Sequence, residues 1–374
     1  MLAPETKIQV PGGSRIVREL REEDLIIAAA GWGESCQTIV LDSFVTHYDG
    51  TPLVKLATHR GYSIKCTPDH PCFCRFNPLS YYYYLYLMER STMGFRLGMT
   101  QHLMRDVFSL QNTKSNANLP SDVIDKIWLI EGSESLPQGV FLLKYATAKY
   151  GLPDIVFAGM QATAELSDDL IRELFNRIDT PSRAKQLLLD YYMYEENPHI
   201  TVKLSKASPP ASNAVQFIIF GSNEKSKEGI GYSHIVRIDS SVELDRKEHK
   251  GFKRRMNNRG LWHLEISRDD FEEAQLFVKT LSCLDNLEIV KKIQLTKKAP
   301  FYILPASHLK LGMVVPVWGN RGIDEDTITE VTYETHHGPL YDLKPDKIRN
   351  YVAGNLVVMS YSGSENPVLK RDVV

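Results

Sequence analysis

Gly61-Tyr-Ser-Ile-Lys-Cys66-Thr67-Pro-Asp-His70-Pro-Cys72-Phe-Cys74 is the stretch on which the reading of this chain turns. It carries an alternating, strand-like run and then sets Thr67 and His70 three residues apart. Two polar groups aimed at one spot can hold a backbone carbonyl and protonate a leaving amide nitrogen, which is peptide-bond chemistry. By themselves the two also fit a turn threonine and a surface histidine, with Asp69 supporting the turn or the imidazole. The two ends of the chain decide between these readings.

Upstream, residues 1–76 read as strands joined by tight turns: Lys7-Ile-Gln-Val, Gln37-Thr-Ile-Val, Leu53-Val-Lys-Leu and Tyr62 to Lys65. Asp49-Gly between apolar runs predicts a hairpin. Residues 77–153 change character. Tyr81-Tyr-Tyr-Tyr-Leu-Tyr-Leu and Phe95-Arg-Leu-Gly read as strands, and Val123 to Glu131 holds a third. Val140 to Tyr150 reads as a helix closed by Gly151, with Pro153 beyond it. Residues 154–300 are mixed. Ser167 is placed to cap a helix carrying Leu170, Ile171, Leu174, Phe175 and Ile178, and Thr180-Pro181 starts another. Ser205 to Ser212 is polar loop text, and Ser267 is placed to cap a helix with Phe271, Ala274, Val278 and Leu281. Residues 301–360 return to strands at Met313-Val-Val-Pro-Val, Thr327 to Thr332, Leu340-Tyr-Asp-Leu and Asn355 to Val358. Strand text at both ends around a mixed α/β centre implies one β domain split by an insertion.

Composition narrows the class. The chain has 374 residues, 43% of them apolar and 24% charged, which suits a globular protein of two or three domains. A formal net charge of -2 makes the whole chain no polyanion binder, so any nucleic-acid surface must be a local patch. No apolar run approaches the roughly 20 residues that span a bilayer, and the start lacks the order of a signal peptide. Five cysteines, unevenly spaced, make no disulfide framework, so a reducing cytoplasm is the expected setting.

Residues 1–76 and 301–360 resemble the two halves of a Hint domain, the horseshoe-like β fold of inteins. Met1-Leu-Ala-Pro-Glu-Thr-Lys-Ile is similar to the first intein block and Thr67-Pro-Asp-His70 to the Thr-x-x-His block. Gly338-Pro-Leu-Tyr-Asp-Leu and Asn350-Tyr-Val-Ala-Gly-Asn-Leu-Val-Val resemble the last two blocks. Pro305-Ala-Ser-His308 resembles the approach to them in inteins that interrupt superfamily-1 DNA helicase genes. The resemblance implies a mainly β Hint domain built from both chain ends and interrupted by a mixed α/β insertion. It implies protein splicing by acyl transfer, with Thr67 and His70 polarising the first amide and Asp342 tuning the nucleophile. Asp342 also fits a strand-end residue capping a turn. The resemblance also implies a host protein in cis as partner, of DNA-helicase type, and splicing that takes no cofactor.

Three departures limit that activity. Met1 stands at the nucleophile position, where a thioether forms no acyl intermediate and no preceding carbonyl is present. Arg349 replaces the usual histidine, and Met359-Ser360 replaces the terminal His-Asn. Asn350 and Asn355 are out of register for the cyclisation that ends splicing. In this form the element is therefore expected not to splice, with 361–374 as flanking host sequence.

Within the insertion, residues 77–153 loosely resemble a GIY-YIG homing endonuclease. The resemblance implies Tyr84, Tyr86, Arg96 and Arg105 as nuclease residues and Mg²⁺ as their cofactor, while an aromatic core strand and a bland glycine turn explain the same text. Glu131 and Glu134 precede the helix, which itself contains no acid. In residues 154–300 the basic run with Lys253, Arg254, Arg255 and Arg259, beside Trp262, could track the backbone of double-stranded DNA, although charge runs are usually solvated faces. Cys66, His70, Cys72 and Cys74 do not have a usual zinc spacing. Cys36 and Cys283 read as small apolar residues. A DNA-binding or site-specific endonuclease module that keeps the Hint fold only as a scaffold is the alternative.

Overall fold

The computed structural model describes residues 1–103, 125–155, 166–201, 213–222, 225–226, 229–230, 233–240, 253–256, 262–285 and 288–360. The first part of the chain forms β1 (Lys7–Val10), β2 (Gly13–Ile16), β3 (Leu25–Gly31), β4 (Glu34–Thr58), β5 (Ser63–Cys66) and β6 (Pro71–Cys74). The middle forms β7 (Tyr83–Arg90), β8 (Gly94–Thr100), β9 (Lys126–Ser133), α1 (Leu136–Tyr150), α2 (Asp168–Arg177), α3 (Thr180–Asp190) and β10 (Ile200–Thr201). Then come β11 (Asn213–Ser222), β12 (Lys225–Ser226), β13 (Gly229–Ile230), β14 (Ser233–Ser240), β15 (Lys253–Met256), β16 (Trp262–Arg268), α4 (Phe271–Asp285) and β17 (Glu288–Ile293). The chain returns through β18 (Tyr302–Pro305), β19 (Val314–Gly319), β20 (Gly322–Pro345), β21 (Asn350–Ala353) and β22 (Leu356–Met359).

The two chain ends build one 11-stranded sheet, with main path β2-β1-β21-β22-β19-β20-β4-β3. Strands β5, β6 and β18 join it off that path. Its spine is the antiparallel pairing of β4 with β20, from Ile328 opposite Thr58 to Pro345 opposite Val40. The chain is mainly β, and its β body comes from both ends around a helix-containing centre.

That spine corrects two expectations. Asp49-Gly is no hairpin. Thr51 faces His336 and Asp49 faces His337, so Gly50 is an extra residue in a continuing strand. Its φ of +72° is the backbone that a bulge demands, and glycine adopts it without steric cost. For the same reason Gln37–Val40 and Leu53–Leu56 lie on one strand, as do Thr327–Thr332 and Leu340–Leu343.

By contacts the chain divides into two compact units, Met1–Arg75 with Ser205–Val374, and Phe76–Leu204. The second unit contains α2 and α3 together with the strands of 77–153, whereas 205–300 groups with the chain ends. Its four strands run in the order β10-β9-β7-β8. Leu85, Leu87, Phe95, Leu97, Trp128 and Ile130 meet Leu142, Ala146, Leu187 and Leu188 in its core. Helix α1 begins at Leu136, a turn before the expected start, with Pro137 in its first turn, and ends at Gly151 (φ +66°). The Ser167 side chain accepts from the Leu170 amide, as a cap does. Of that helix's apolar face, Ile171 and Phe175 are buried and Leu170 is exposed.

In the first unit, residues 213–293 form a five-stranded sheet, β15-β16-β14-β11-β17, packed by α4. The cap of α4 is Asp270, whose carboxylate accepts from the Glu273 amide at 2.9 Å. Ser267 is held instead in β16, opposite Ile235. This sheet shares one core with the chain ends: Phe217, Phe220, Phe271 and Val278 pack with Ala29, Phe73, Val352 and Val357. Gly31 (φ +90°) permits the approach, because a Cβ there would lie 2.5 Å from the Phe220 Cβ. Cys36 packs against this core.

His234 is buried in the same core, its ring centroid 5.1 Å from that of Phe220 and 5.6 Å from that of Phe271. Its Nδ1 accepts from the Phe220 amide at 3.3 Å. Burial pushes its pKa down to about 4, partly offset by Asp270. Between pH 6.5 and 4 the unfolded chain therefore binds a proton that the folded chain refuses. Stability is full above about pH 6.5 and falls as pH drops, by on the order of 3 kcal/mol for this residue. Urea unfolding at steps from pH 7 to 4.5 should show this loss, and His234→Leu should flatten the slope. Equal slopes in the two proteins would count against it.

Candidate functional site

The Thr67–His70 turn is closed by the His70 amide donating to the Thr67 carbonyl at 3.0 Å. It links β5 to β6, and a short 3-10 turn at Ala306–His308 docks on it. The Ala306 amide donates to the His70 carbonyl at 2.9 Å and the Ser307 amide to the Pro68 carbonyl at 3.0 Å. The Pro305-Ala-Ser-His308 text thus supports the backbone of the turn.

The first residues enter between two strands. The Leu2 amide donates to the Tyr341 carbonyl at 2.7 Å, and the Tyr341 amide donates back at 2.9 Å. The Ala3 amide donates to the Lys65 carbonyl, and the Thr67 amide to the Met1 carbonyl at 2.8 Å. This pairing delivers the Met1 nitrogen to the turn. It donates to Thr67 Oγ1 at 2.6 Å and lies 3.3 Å from His70 Nδ1. The Met1 side chain packs with Ala3, Leu53 and Leu340, and its sulfur accepts from the Tyr48 hydroxyl at 3.7 Å.

His70 is fully buried, and burial, then the positive Met1 amino group, holds its pKa well below the ordinary histidine value. It is a neutral imidazole at pH 7. Its Nε2 is buried without a hydrogen-bond partner, so the polar work of the ring falls on Nδ1. Asp342 Oδ2 lies 4.0 Å from that atom. Asp342 is also fully buried, and its Oδ1 accepts from the Tyr351 hydroxyl and the Leu343 amide, each at 2.7 Å.

Arg349 and Ser360 form a second group. The Ser360 amide donates to the Arg349 carbonyl at 3.0 Å, and its Oγ donates to the carbonyl of Leu343, the neighbour of Asp342, at 2.7 Å. Arg349 has a φ of +55°, and its guanidinium is 2.9 Å from Glu272 of α4. Arg349 and Met359 line one small cavity with Phe220 and Phe271. The two positions expected to carry histidines are therefore engaged with the α/β segment.

Asn350 has a role that sequence reasoning missed. Its side-chain amide donates to the Ala29 carbonyl at 3.0 Å and accepts from the Ala29 amide at 2.8 Å, bridging β21 to β3. The missed contact of Tyr351 with Asp342 had one sequence signal, a tyrosine inside the last block.

In the second unit, Tyr84, Tyr86 and Arg96 are buried. The Tyr84 hydroxyl accepts from the Leu79 amide at 2.7 Å. Arg96 donates to the Leu97 carbonyl at 3.4 Å and stands 5.9 Å over the Tyr86 ring. Glu131 accepts from the Tyr191 hydroxyl at 3.0 Å. Arg105 lies outside the described residues. Lys253, Arg254 and Arg255 form β15, at the edge of the five-stranded sheet, and Arg259 is outside the described residues. Cys66, Cys72 and Cys74 are free buried thiols, and a hydrogen bond with Cys66, then burial, raises the Cys72 pKa well above the usual range. Among the described residues no three His, Cys, Asp or Glu side chains gather as a metal site.

No protein-family profile matches the chain, and no curated protein matches it. Among solved structures it is similar to the crystal structure of the gp41-1 intein, at 22% identity over 19% of this chain and 50% of that one, with a TM-score of 0.16. It is similar to the solution structure of a bacterial intein-like domain from Clostridium thermocellum, at 26% identity over 20% of this chain and 52% of that one, with a TM-score of 0.18. The match thus spans about half the length of each. A crystal structure of the G-1F mutant of the Ssp DnaB mini-intein variant M86 aligns over 96% of this chain and 98% of its own, at 9% identity and a TM-score of 0.27. The geometry around Met1 carries the functional reading.

Proposed function

We propose that this chain is an intein-type self-processing element whose β body performs acyl transfer at residue 1. The convergence of Thr67 Oγ1 and His70 Nδ1 on the Met1 nitrogen, at 2.6 and 3.3 Å, carries the reading. In a longer chain that nitrogen belongs to the amide that is broken. A residue-1 thiol adds to the preceding carbonyl, the C–N bond opens, and the nitrogen takes a proton through His70. Thr67 holds the amide in place while charge develops.

The partner is a host protein in cis, of the DNA-helicase type, and the setting is cytoplasmic. No described helix is long and apolar enough to cross a membrane. Met1 supplies no thiol, and the positions that end splicing hold Arg349, Met359 and Ser360, so splicing is blocked in this form. The test is Met1→Cys with a reporter protein fused ahead of it. Added dithiothreitol is expected to release the reporter, while the Met1 fusion stays intact. Absence of release from the folded Met1→Cys fusion would sink the reading.

The central region is read as a GIY-YIG-like homing endonuclease, supported by Arg96 standing over Tyr86 on the neighbouring strand. Cutting of long duplex DNA in Mg²⁺ buffer that is lost on Arg96→Ala would support it. The alternative, a DNA-binding module on a Hint scaffold, rests on β15, and salt-dependent duplex binding without processing would favour it.

A further inference from the structure

We propose that Tyr351 is a positioning residue of the residue-1 site: its phenol fixes the Asp342 carboxylate so that the second oxygen faces His70. The arrangement stands on geometry alone, and its consequence for catalysis rests on the self-processing reading above.

Tyr351, Asp342 and His70 are each fully buried. A carboxylate removed from water needs donors on its oxygens. Asp342 Oδ1 has two, the Tyr351 hydroxyl and the Leu343 amide. Two donors on one oxygen set the carboxylate plane and leave Oδ2 toward His70 Nδ1, 4.0 Å away. The direction of the Tyr351 bond is fixed as well. Burial, then the Asp342 charge, keeps the phenol pKa well above its ordinary value, so the hydroxyl remains a donor throughout the working range.

The strands that present these groups are themselves tied to residue 1. Tyr341, next to Asp342, exchanges both backbone hydrogen bonds with Leu2. Tyr351 sits on β21 beside Asn350, which bridges to Ala29, and pairs with Val358 of β22. The phenol therefore reaches Asp342 from a strand that is anchored on both sides. Among the described residues, the titratable groups that act on the pair include the Met1 amino group, which acts on His70, and Cys66 and Cys72, which act on Tyr351. His308 lies on the 3-10 turn docked against the His70 carbonyl.

The test is an NMR titration of the labelled imidazoles in the full chain, comparing the unaltered protein with Tyr351→Phe and Asp342→Asn. Loss of the phenol lets the Asp342 carboxylate turn away from His70, so Tyr351→Phe is expected to lower the His70 midpoint by about one pH unit. Asp342→Asn is expected to lower it at least as far. In the Met1→Cys fusion, Tyr351→Phe is expected to slow thiol-induced release about tenfold and to displace its pH profile in the same direction as the His70 midpoint. A His70 midpoint unmoved or raised by Tyr351→Phe overturns the proposal. If Tyr351→Phe does not fold, the Tyr351→Phe/Asp342→Asn double variant decides. A His70 midpoint equal to that of Asp342→Asn supports action through the carboxylate, and a different one overturns it. If no fusion releases its reporter, the processing reading fails while the titration still decides the place of Tyr351.

Discussion

Replacing His70 by alanine in the Met1→Cys fusion is expected to slow thiol-induced release by about 10²- to 10⁴-fold, the usual worth of a positioned proton donor. The residue-1 nitrogen has two polar side chains against it, Thr67 at 2.6 Å and His70 at 3.3 Å, and only the imidazole can carry a proton to it. The change also removes a buried, neutral ring, so folding must be measured beside release. Loss of His70 takes away a proton that the unfolded state binds near pH 6 and the folded state refuses. The variant should therefore keep more of its stability at acid pH than the parent, apart from the cost of the cavity. Slow release together with a flatter acid limb identifies a catalytic loss. Release at the parental rate would remove His70 from the chemistry.

The second large effect is structural. Asn350→Ala is expected to destabilise the folded chain by about 3 kcal/mol. It strands the amide and the carbonyl of Ala29, both in the core, and each orphaned group costs about 1–3 kcal/mol. Chemical denaturation should show the midpoint falling with little change in slope. Asn350→Asp is a sharper probe, because the carboxylate can accept from the Ala29 amide but cannot donate to its carbonyl. It should fall below the parent at pH 7. An Asn350→Ala protein as stable as the parent would mean that the β21–β3 bridge contributes nothing.

Thr67 and His70 were legible in the sequence because their spacing is local: one turn puts both on the same nitrogen. The split β body was legible too, since strand text at the two ends brackets a mixed centre. What the sequence hid is set by pairing at a distance. Asp49-Gly reads as a hairpin because both a two-residue loop and a bulge need glycine at positive φ, and only the partner strand tells them apart. Ser267 reads as the cap of α4, but pairing of β16 with β14 holds it in a strand, and the cap falls to Asp270. Asn350 looked like a misplaced cyclising residue, yet its amide is spent on Ala29, 321 positions away. The Tyr351–Asp342 contact joins two strands whose adjacency no local pattern announces.

The shared core of residues 213–293 and the chain ends bears on how this chain could be trimmed. A minimal version would be sought by excising whatever lies between the two halves of the β body. Phe76–Leu204 is a compact unit with its own core, and its removal leaves the shared core whole. Excision through residue 293 would differ in kind. It would strip Phe217, Phe220, Phe271 and Val278 from Ala29, Phe73, Val352 and Val357. It would also leave Arg349 without Glu272. The economical cut in this protein stops near residue 204, because the five-stranded sheet and α4 serve the β body as scaffold.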